Sequence, residues 1–322
     1  MIDFQVKSVL VIYDSKLSSQ NQAVGLVESL KKINKEIKFK EIKIKKKCYF
    51  LLPNWLLYFL YKLNILRLEQ NLIKKYYAII SCGRITAPLS LFLKQKTGSK
   101  IIHILNPYYK INSFDKIILP LHDKYIKNNV IQINGSIVNE KNFNIDKNNL
   151  KKFENIFPIN KKKIIVILIG GSTKFNKLKI NDLNNFIISL KKINVKNNKL
   201  IFLFSRRTPV FFREGLTNFF SKDCIIVNEK TTNPYWYFLK NADFIIVTSD
   251  SVSMTSDAIF TGKPVYIYYF KNLKKKILFF QNLLIKEKIT RKFCGKIEYW
   301  NNKKSFENMK VATQVINYLD NN

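Results

Sequence analysis

The chain has 322 residues, 47% of them apolar, which suits two domains of ~150 residues with a core in each. Its formal charge of +34 would suit nucleic acid. However, 50 of the 56 basic residues are lysine, scattered with asparagine and isoleucine along the whole length, and no nucleic-acid recognition motif is present. The charge reads as a general attraction to anionic surfaces, and nucleic acid is excluded as the expected partner. Cys48, Cys82, Cys224 and Cys294 show no Cys-x-x-Cys spacing, so neither a zinc site nor a disulfide framework is expected. Residues 1–5 lack the basic and apolar regions of a signal peptide, so the expected location is cytoplasmic.

Apolar runs alternate with helical patterns along the chain, which predicts parallel sheets with crossover helices. The first series places strands at 8–13, 77–81, 100–105 and 116–119 and helices at 21–32 and 87–96, a Rossmann-like domain over residues 1–145. Within it, Lys45-Lys46-Lys47 runs into CYFLLPNWLLYFLYKLNIL, where Pro53, Asn54, Lys62 and Asn64 interrupt what would otherwise approach a ~20-residue membrane span. Two readings of residues 45–66 stand side by side. One is an interfacial element with Trp55, Tyr58, Phe59 and Tyr61 lying on anionic lipid, peripheral to the inner face of a membrane. The other is a buried helix packed on its sheet.

Residues 141–163, rich in asparagine and lysine, read as an interdomain linker. The second Rossmann-like domain is expected over 160–305, with a C-terminal helix at 306–322 packing back on the first domain. Its strand at 164–169 ends in Gly170-Gly171-Ser172, where glycines let backbone N–H groups approach a phosphate, or simply make a tight turn. After the strand at 200–204 comes Ser205-Arg206-Arg207-Thr208, with Pro209 at a helix start. An arginine pair in a lysine-dominated chain suggests bidentate recognition of phosphate or carboxylate, a structural salt bridge being the rival.

Asn233-Pro234-Tyr235 opens another helix, and the strand at 244–247 then delivers Thr248-Ser249-Asp250-Ser251 into a short helix. The hydroxyls of Ser249, Ser251 and Ser253 are expected beside the N–H groups of that helix, with phosphate, ribose or carboxylate as ligand. Asp250 is either an N-cap or a ligand group, whereas Asp257, further along the helix, is placed to reach a ribose diol.

At the strand ends of the first domain, Asp14 and the pair His122-Asp123 are the candidate general bases. His103, inside an apolar strand, reads as a core residue. No Gly-x-Gly-x-x-Gly follows the first strand, which argues against a dinucleotide dehydrogenase.

Seven ordered blocks carry a resemblance: DSKLSSQNQ at 14–22, SCGRITAP at 81–88, LPLHD at 119–123, LIGGSTK at 168–174, SRRTP at 205–209, NPY at 233–235 and VTSDSVSMTSDAIFTGKPV at 247–265. By them the chain resembles the mitochondrial fission ELM family, which is itself similar to glycosyltransferases of the GT-B fold, two Rossmann-like domains facing a cleft. The resemblance implies an α/β protein with a metal-independent nucleotide-sugar site. Gly170, Gly171 and Ser172 would meet the diphosphate, flanked by Ser205, Arg206, Arg207 and Thr208. Asn233, Tyr235, Ser249, Asp250, Ser251 and Met254 would complete the site, and Asp257 would stand where a Glu usually binds the ribose. Asn21, Gln22, Gly83, Arg84 and Thr86 would contact an acceptor or anion.

The chain departs from that family at Ser15, Ser18 and Ser19, which replace Gly, Gly and His. The expected function is nucleotide-sugar-dependent glycosyl transfer to a membrane or envelope acceptor, with the donor as substrate and no tightly bound cofactor. A non-catalytic adaptor that keeps the ligand pocket is the alternative, and a nucleotide-sugar epimerase a third option.

Overall fold

The computed structural model describes residues 7–45, 51–123, 125–157, 162–172, 177–220, 224–227, 233–302 and 307–321. Lys46, Lys47, Cys48 and Tyr49, and Thr173 and Lys174 of the glycine-turn block, lie outside them. The chain divides into two compact units, Met1–Glu140 with Phe306–Asn322, and Lys141–Ser305.

In unit 1 the elements run β1 (Ser8–Asp14), α1 (Leu17–Ile33), β2 (Lys38–Ile44), α2 (Asn54–Lys62), β3 (Ala78–Cys82), α3 (Ala87–Thr97), β4 (Ile101–Ile104), β5 (Lys116–Pro120) and β6 (Val130–Ile133). They form a parallel sheet in the order β2-β1-β3-β4-β5-β6. Both faces of β1 are covered: Val9, Val11 and Tyr13 join one core cluster, Leu10 and Ile12 the other. That double burial is why the central strands are continuous apolar runs instead of alternating ones.

Unit 2 begins with α4 (Lys147–Ile156) and continues β7 (Lys163–Ile169), α5 (Ile180–Leu190), β8 (Asn198–Phe204), α6 (Val210–Phe220), β9 (Cys224–Ile226), α7 (Tyr235–Asn241), β10 (Phe244–Thr248), α8 (Val252–Phe260), β11 (Val265–Tyr268), α9 (Lys275–Lys286) and β12 (Arg291–Lys292). Its parallel sheet has the order β12-β11-β10-β7-β8-β9, with Ile246 of β10 opposite Ile167 of β7. The last helix, α10 (Glu307–Asp320), belongs to unit 1, where Val311, Ala312, Val315, Ile316 and Leu319 enter the same cluster as α1. Asn308 anchors it by a reciprocal pair, donating to Val138 O at 2.6 Å and accepting from Val138 N at 3.1 Å.

Three expectations need correction. Residues 141–163 are not simply a linker: α4 folds onto unit 2 with Phe153 buried against Tyr237, their ring centroids 5.5 Å apart. The first helix starts at Leu17, four residues ahead of the expected start at Asn21, so Ser18 and Ser19 lie on its opening turn. α2 satisfies neither reading of residues 45–66 alone, because Leu57, Tyr58 and Tyr61 are buried while Trp55 and Phe59 face solvent. No helix among the described residues is long and apolar enough to cross a membrane.

Candidate functional site

β7 and β10 are neighbours, yet β7 is followed along the sheet by β8 on one side and β10 by β11 on the other. A point where the strand order reverses leaves a crevice at the carboxyl ends of the strands, the usual ligand position in doubly wound sheets. Gly170-Gly171-Ser172 follows β7 and Ser249-Asp250-Ser251 follows β10, so the two turns meet at this point.

The N–H groups of the glycine turn are already bonded, as a tight turn requires and the phosphate reading does not. Gly170 N–H donates to Thr248 Oγ1 at 2.8 Å, Gly171 N–H to Asp250 Oδ2 at 2.8 Å, and Ser172 N–H to Arg207 O at 3.1 Å. The glycines are required for close approach instead. A Cβ at Gly170 would fall 2.1 Å from Asp250 Oδ2, and one at Gly171 2.1 Å from Arg207 O. Asp250 is therefore not the helix cap but a buried brace, which also accepts from Thr248 Oγ1 at 2.8 Å. Burial raises its pKa, opposed by the Gly171 N–H, the Thr248 hydroxyl and the Arg207 charge.

The tetrad after β8 splits by role. Ser205 and Thr208 turn inward, both hydroxyls donating to Gly170 O, and Arg213 donates to Ser205 O at 2.6 Å. Arg206 is exposed, and Arg207 holds its guanidinium 3.7 Å from Asp250 Oδ2 with nearly half its side chain in solvent. Only these two arginines of the tetrad present cations outward.

The serine turn also divides. The Ser249 hydroxyl points inward and accepts from Phe270 N–H at 3.1 Å, while Gln281, fully buried on α9, donates to Ser249 O and Thr255 Oγ1 at 3.1 Å each. Ser251 caps α8 by accepting from Met254 N–H at 3.4 Å. The N–H groups of Val252 and Ser253, in the first turn, have no partner within the helix. Met254 is half-buried. Asp257 lies five residues beyond Val252, about 7.5 Å along the axis, and Tyr235 donates to its Oδ2 at 3.0 Å. Burial pushes the Asp257 carboxyl up to about 7 and the Tyr235 phenol well above its ordinary value. Asn233 accepts from Tyr235 N–H at 3.0 Å and so closes the start of α7.

Sequence reasoning gave Thr248 no role of its own and missed Gln281. The available signals were a threonine closing an apolar strand and a lone amide within the apolar stretch of α9.

In unit 1 the corresponding reversal lies between β1 and β3. Asp14, buried at the end of β1, accepts from Lys16 N–H at 3.0 Å and faces Gly83, whose φ of 98° and lack of a Cβ leave room for the carboxylate. Ser19 shares a hydrogen bond with the buried Cys82 thiol, whose pKa is raised by burial and then by the Asp14 charge. Gln22 is buried with its Nε2 on Ser18 O, whereas Asn21 is half-buried.

His122 and Asp123 occupy a short turn after β5, three strand spacings or ~14 Å from β1. They do not join Asp14 in one cluster. Arg84 Nη1 donates to Leu52 O at 2.9 Å and Asn54 Oδ1 at 3.0 Å, tying the start of α2 to the carboxyl end of β3. Thr86 is fully buried and donates to Gly83 O at 2.8 Å. His103 is a core residue, bonded to Ser81 Oγ at 2.7 Å, with burial lowering its pKa to about 3.

The architecture is that of the GT-B glycosyltransferases and epimerases. It is similar to a UDP-GlcNAc 2-epimerase from Neisseria meningitidis bound to UDP-GlcNAc, with a TM-score of 0.57, 13% identity and coverage of 98% of this chain and 100% of that one. It is also similar to the glycotransferase of kitacinnamycin, at a TM-score of 0.55, 9% identity and coverage of 98% and 91%.

In sequence the chain is 32% identical to an uncharacterised protein of Rickettsia prowazekii, covering 95% of this chain and 96% of that protein. It is 26% identical to the mitochondrial fission protein ELM1 of Arabidopsis thaliana over 67% of this chain, and the match spans 57% of that longer protein. Residues 19–319 match the profile described as Mitochondrial fission ELM1, and the chain belongs to that family.

Proposed function

We propose that unit 2 binds a nucleoside diphosphate sugar and that the protein transfers its glycosyl group to an acceptor hydroxyl. The observation that supports this most directly is the layout of α8. Its first-turn N–H groups at Val252 and Ser253, which have no partner within the helix, and the exposed cations of Arg206 and Arg207 suit a diphosphate. Asp257, about 7.5 Å further along the helix, suits the ribose diol. Among the described residues only Tyr235 bonds this carboxylate, through Oδ2, so Oδ1 suits a ligand hydroxyl.

In this reading the acceptor hydroxyl attacks the anomeric carbon, the bond to the diphosphate breaks, and the N–H groups and arginines stabilise the departing anion. Asp14 is the candidate base. It is the buried carboxylate at the strand-order reversal of unit 1, whereas His122 and Asp123 lie three strands away. No metal is required, because the charge on the leaving group is met by fixed dipoles and cations.

A second reading, ligand binding without catalysis, is favoured by Ser19. It stands where the family resemblance led us to expect a histidine, bonds the Cys82 thiol and provides no base. Calorimetric titration of the full chain with UDP, GDP and TDP and their sugars, at moderate salt, tests binding. Micromolar affinity for one nucleotide that is lost in Asp257→Ala supports the site, and no binding by any of them rejects it. NMR of the bound sugar then separates the chemistries. Acceptor-dependent release of nucleotide indicates transfer, a changed sugar configuration without acceptor indicates epimerisation, and no turnover indicates a binding protein.

A further inference from the structure

The exposed side of α2 carries large apolar side chains at regular spacing. Leu51, Trp55, Phe59 and Leu63 are 78%, 56%, 51% and 54% exposed and recur at every fourth residue, so they form one stripe along the helix and its ends. Leu57, Tyr58 and Tyr61 on the opposite side are buried in the core, so α2 is apolar on both faces. A short helix that buries one apolar face and leaves another in water is missing a partner.

The stripe is held rigidly. Arg84 donates to Leu52 O and Asn54 Oδ1, and Asn54 Nδ2 donates to Arg84 O at 3.0 Å and Pro107 O at 2.6 Å. The bond to Pro107 brings the loop after β4 beside the helix start. That loop holds Leu105, Tyr108 and Lys110 at positive φ of 74°, 56° and 43°, a strained backbone that leaves Tyr108 70% exposed.

The charge around the stripe is one-sided. Among the described residues 51–75, Lys62, Arg67, Lys74 and Lys75 are basic and exposed, and Glu69 alone is acidic. Lys62 is exposed at the end of α2, next to Leu63 of the stripe. Exposed aromatic and leucine side chains followed by a run of exposed basic residues complement a surface that is apolar beneath and anionic above. At nine residues α2 is only about 14 Å long, enough to lie in such a surface but not to cross it.

We propose that Leu51, Trp55, Phe59 and Leu63, with Tyr108 beside them, dock unit 1 on an anionic lipid bilayer. The apolar side chains enter the interface and the surrounding lysines meet lipid phosphates. This goes beyond the nucleotide-sugar reading and does not depend on it.

The test is flotation of the full chain with vesicles of phosphatidylcholine alone and of phosphatidylcholine mixed with phosphatidylglycerol. Wild type is expected on the mixed vesicles. The variant W55S/F59S keeps the net charge and is expected to bind at least tenfold more weakly, with its nucleotide affinity unchanged. Equal binding by the variant would reduce the effect to adsorption of a cationic protein and overturn the proposal. Absence of wild-type binding would overturn it as well. So would a wild-type dimer, seen by sedimentation, that the variant splits without any vesicle binding, because a second copy would then be the occupant. Should the variant not fold, tryptophan emission of wild type on brominated phosphatidylglycerol decides: quenching supports insertion of the exposed Trp55, and unchanged emission rejects it.

Discussion

Tyr235 donates its hydroxyl hydrogen to Asp257 Oδ2 across 3.0 Å, joining the first residue of α7 to the middle of α8. Burial raises the Asp257 carboxyl from its ordinary 3.8 to about 7, and the Tyr235 bond only partly offsets this. The folded state therefore holds the Asp257 proton more tightly than the unfolded state does.

The sign of the pH dependence follows. Below 3.8 both states are protonated and the carboxyl costs nothing; stability then falls as pH rises from 3.8 to about 7, and the full cost persists above. At about 1.4 kcal/mol per pH unit the ceiling is ~4 kcal/mol. Asp257→Asn, which keeps an acceptor for Tyr235, should be more stable than wild type at about pH 8 and much less so at about pH 5 in urea unfolding. An equal gain at both values would remove the buried charge as the cause.

Gly170→Ala should destabilise unit 2 by about 1–3 kcal/mol, because its Cβ would fall 2.1 Å from Asp250 Oδ2. Asp250→Ala alone leaves the Gly171 N–H and the Thr248 hydroxyl without their acceptor. In the double variant the collision is gone, so the two effects should sum to less than their separate costs. Strict additivity in thermal unfolding would contradict the close approach.

Arg206→Ala should leave stability within about 0.5 kcal/mol, since the side chain is exposed. Arg207→Ala should cost no more than ~1 kcal/mol, because its pairing with Asp250 is 3.7 Å long and half in solvent. Under the diphosphate reading both should weaken nucleotide binding in calorimetry, by roughly 1.5–3 kcal/mol for each charge-assisted bond lost. Unchanged affinity with an intact fold would exclude them from the site.

Truncation before α10 should unfold unit 1 and leave unit 2 cooperative. Val311, Val315, Ile316 and Leu319 are buried in the unit 1 core, and at about 1.5–3 kcal/mol each their loss approaches the whole stability of a domain. Proteolysis with mass spectrometry should leave a protected fragment corresponding to unit 2. Survival of unit 1 would show that α10 is dispensable.

Much of the fold was legible because parallel strands buried on both faces must be apolar throughout, as in Ser8–Asp14 and Lys163–Ile169. The edge strand Lys38–Ile44 escaped because its outer residues are lysines and a glutamate in contact with water. α4 escaped for a related reason: its asparagine and lysine content reads as a linker, and only Phe153 among its residues is buried.

The turns at Gly170, Ser205 and Asp250 were legible as polar breaks after apolar strands, but their roles were not. The sequence by itself determined where polar groups collect, because strand ends interrupt hydrophobic runs and glycine marks close backbone approach. Tertiary structure alone decided which donors are already spent. The N–H groups of Gly170 and Gly171 go to Thr248 and Asp250, some 80 residues away, and the hydroxyl of Ser249 goes to Phe270. A buried donor takes whichever acceptor the sheet order brings beside it, and that neighbour is fixed by strand pairing, not by distance along the chain.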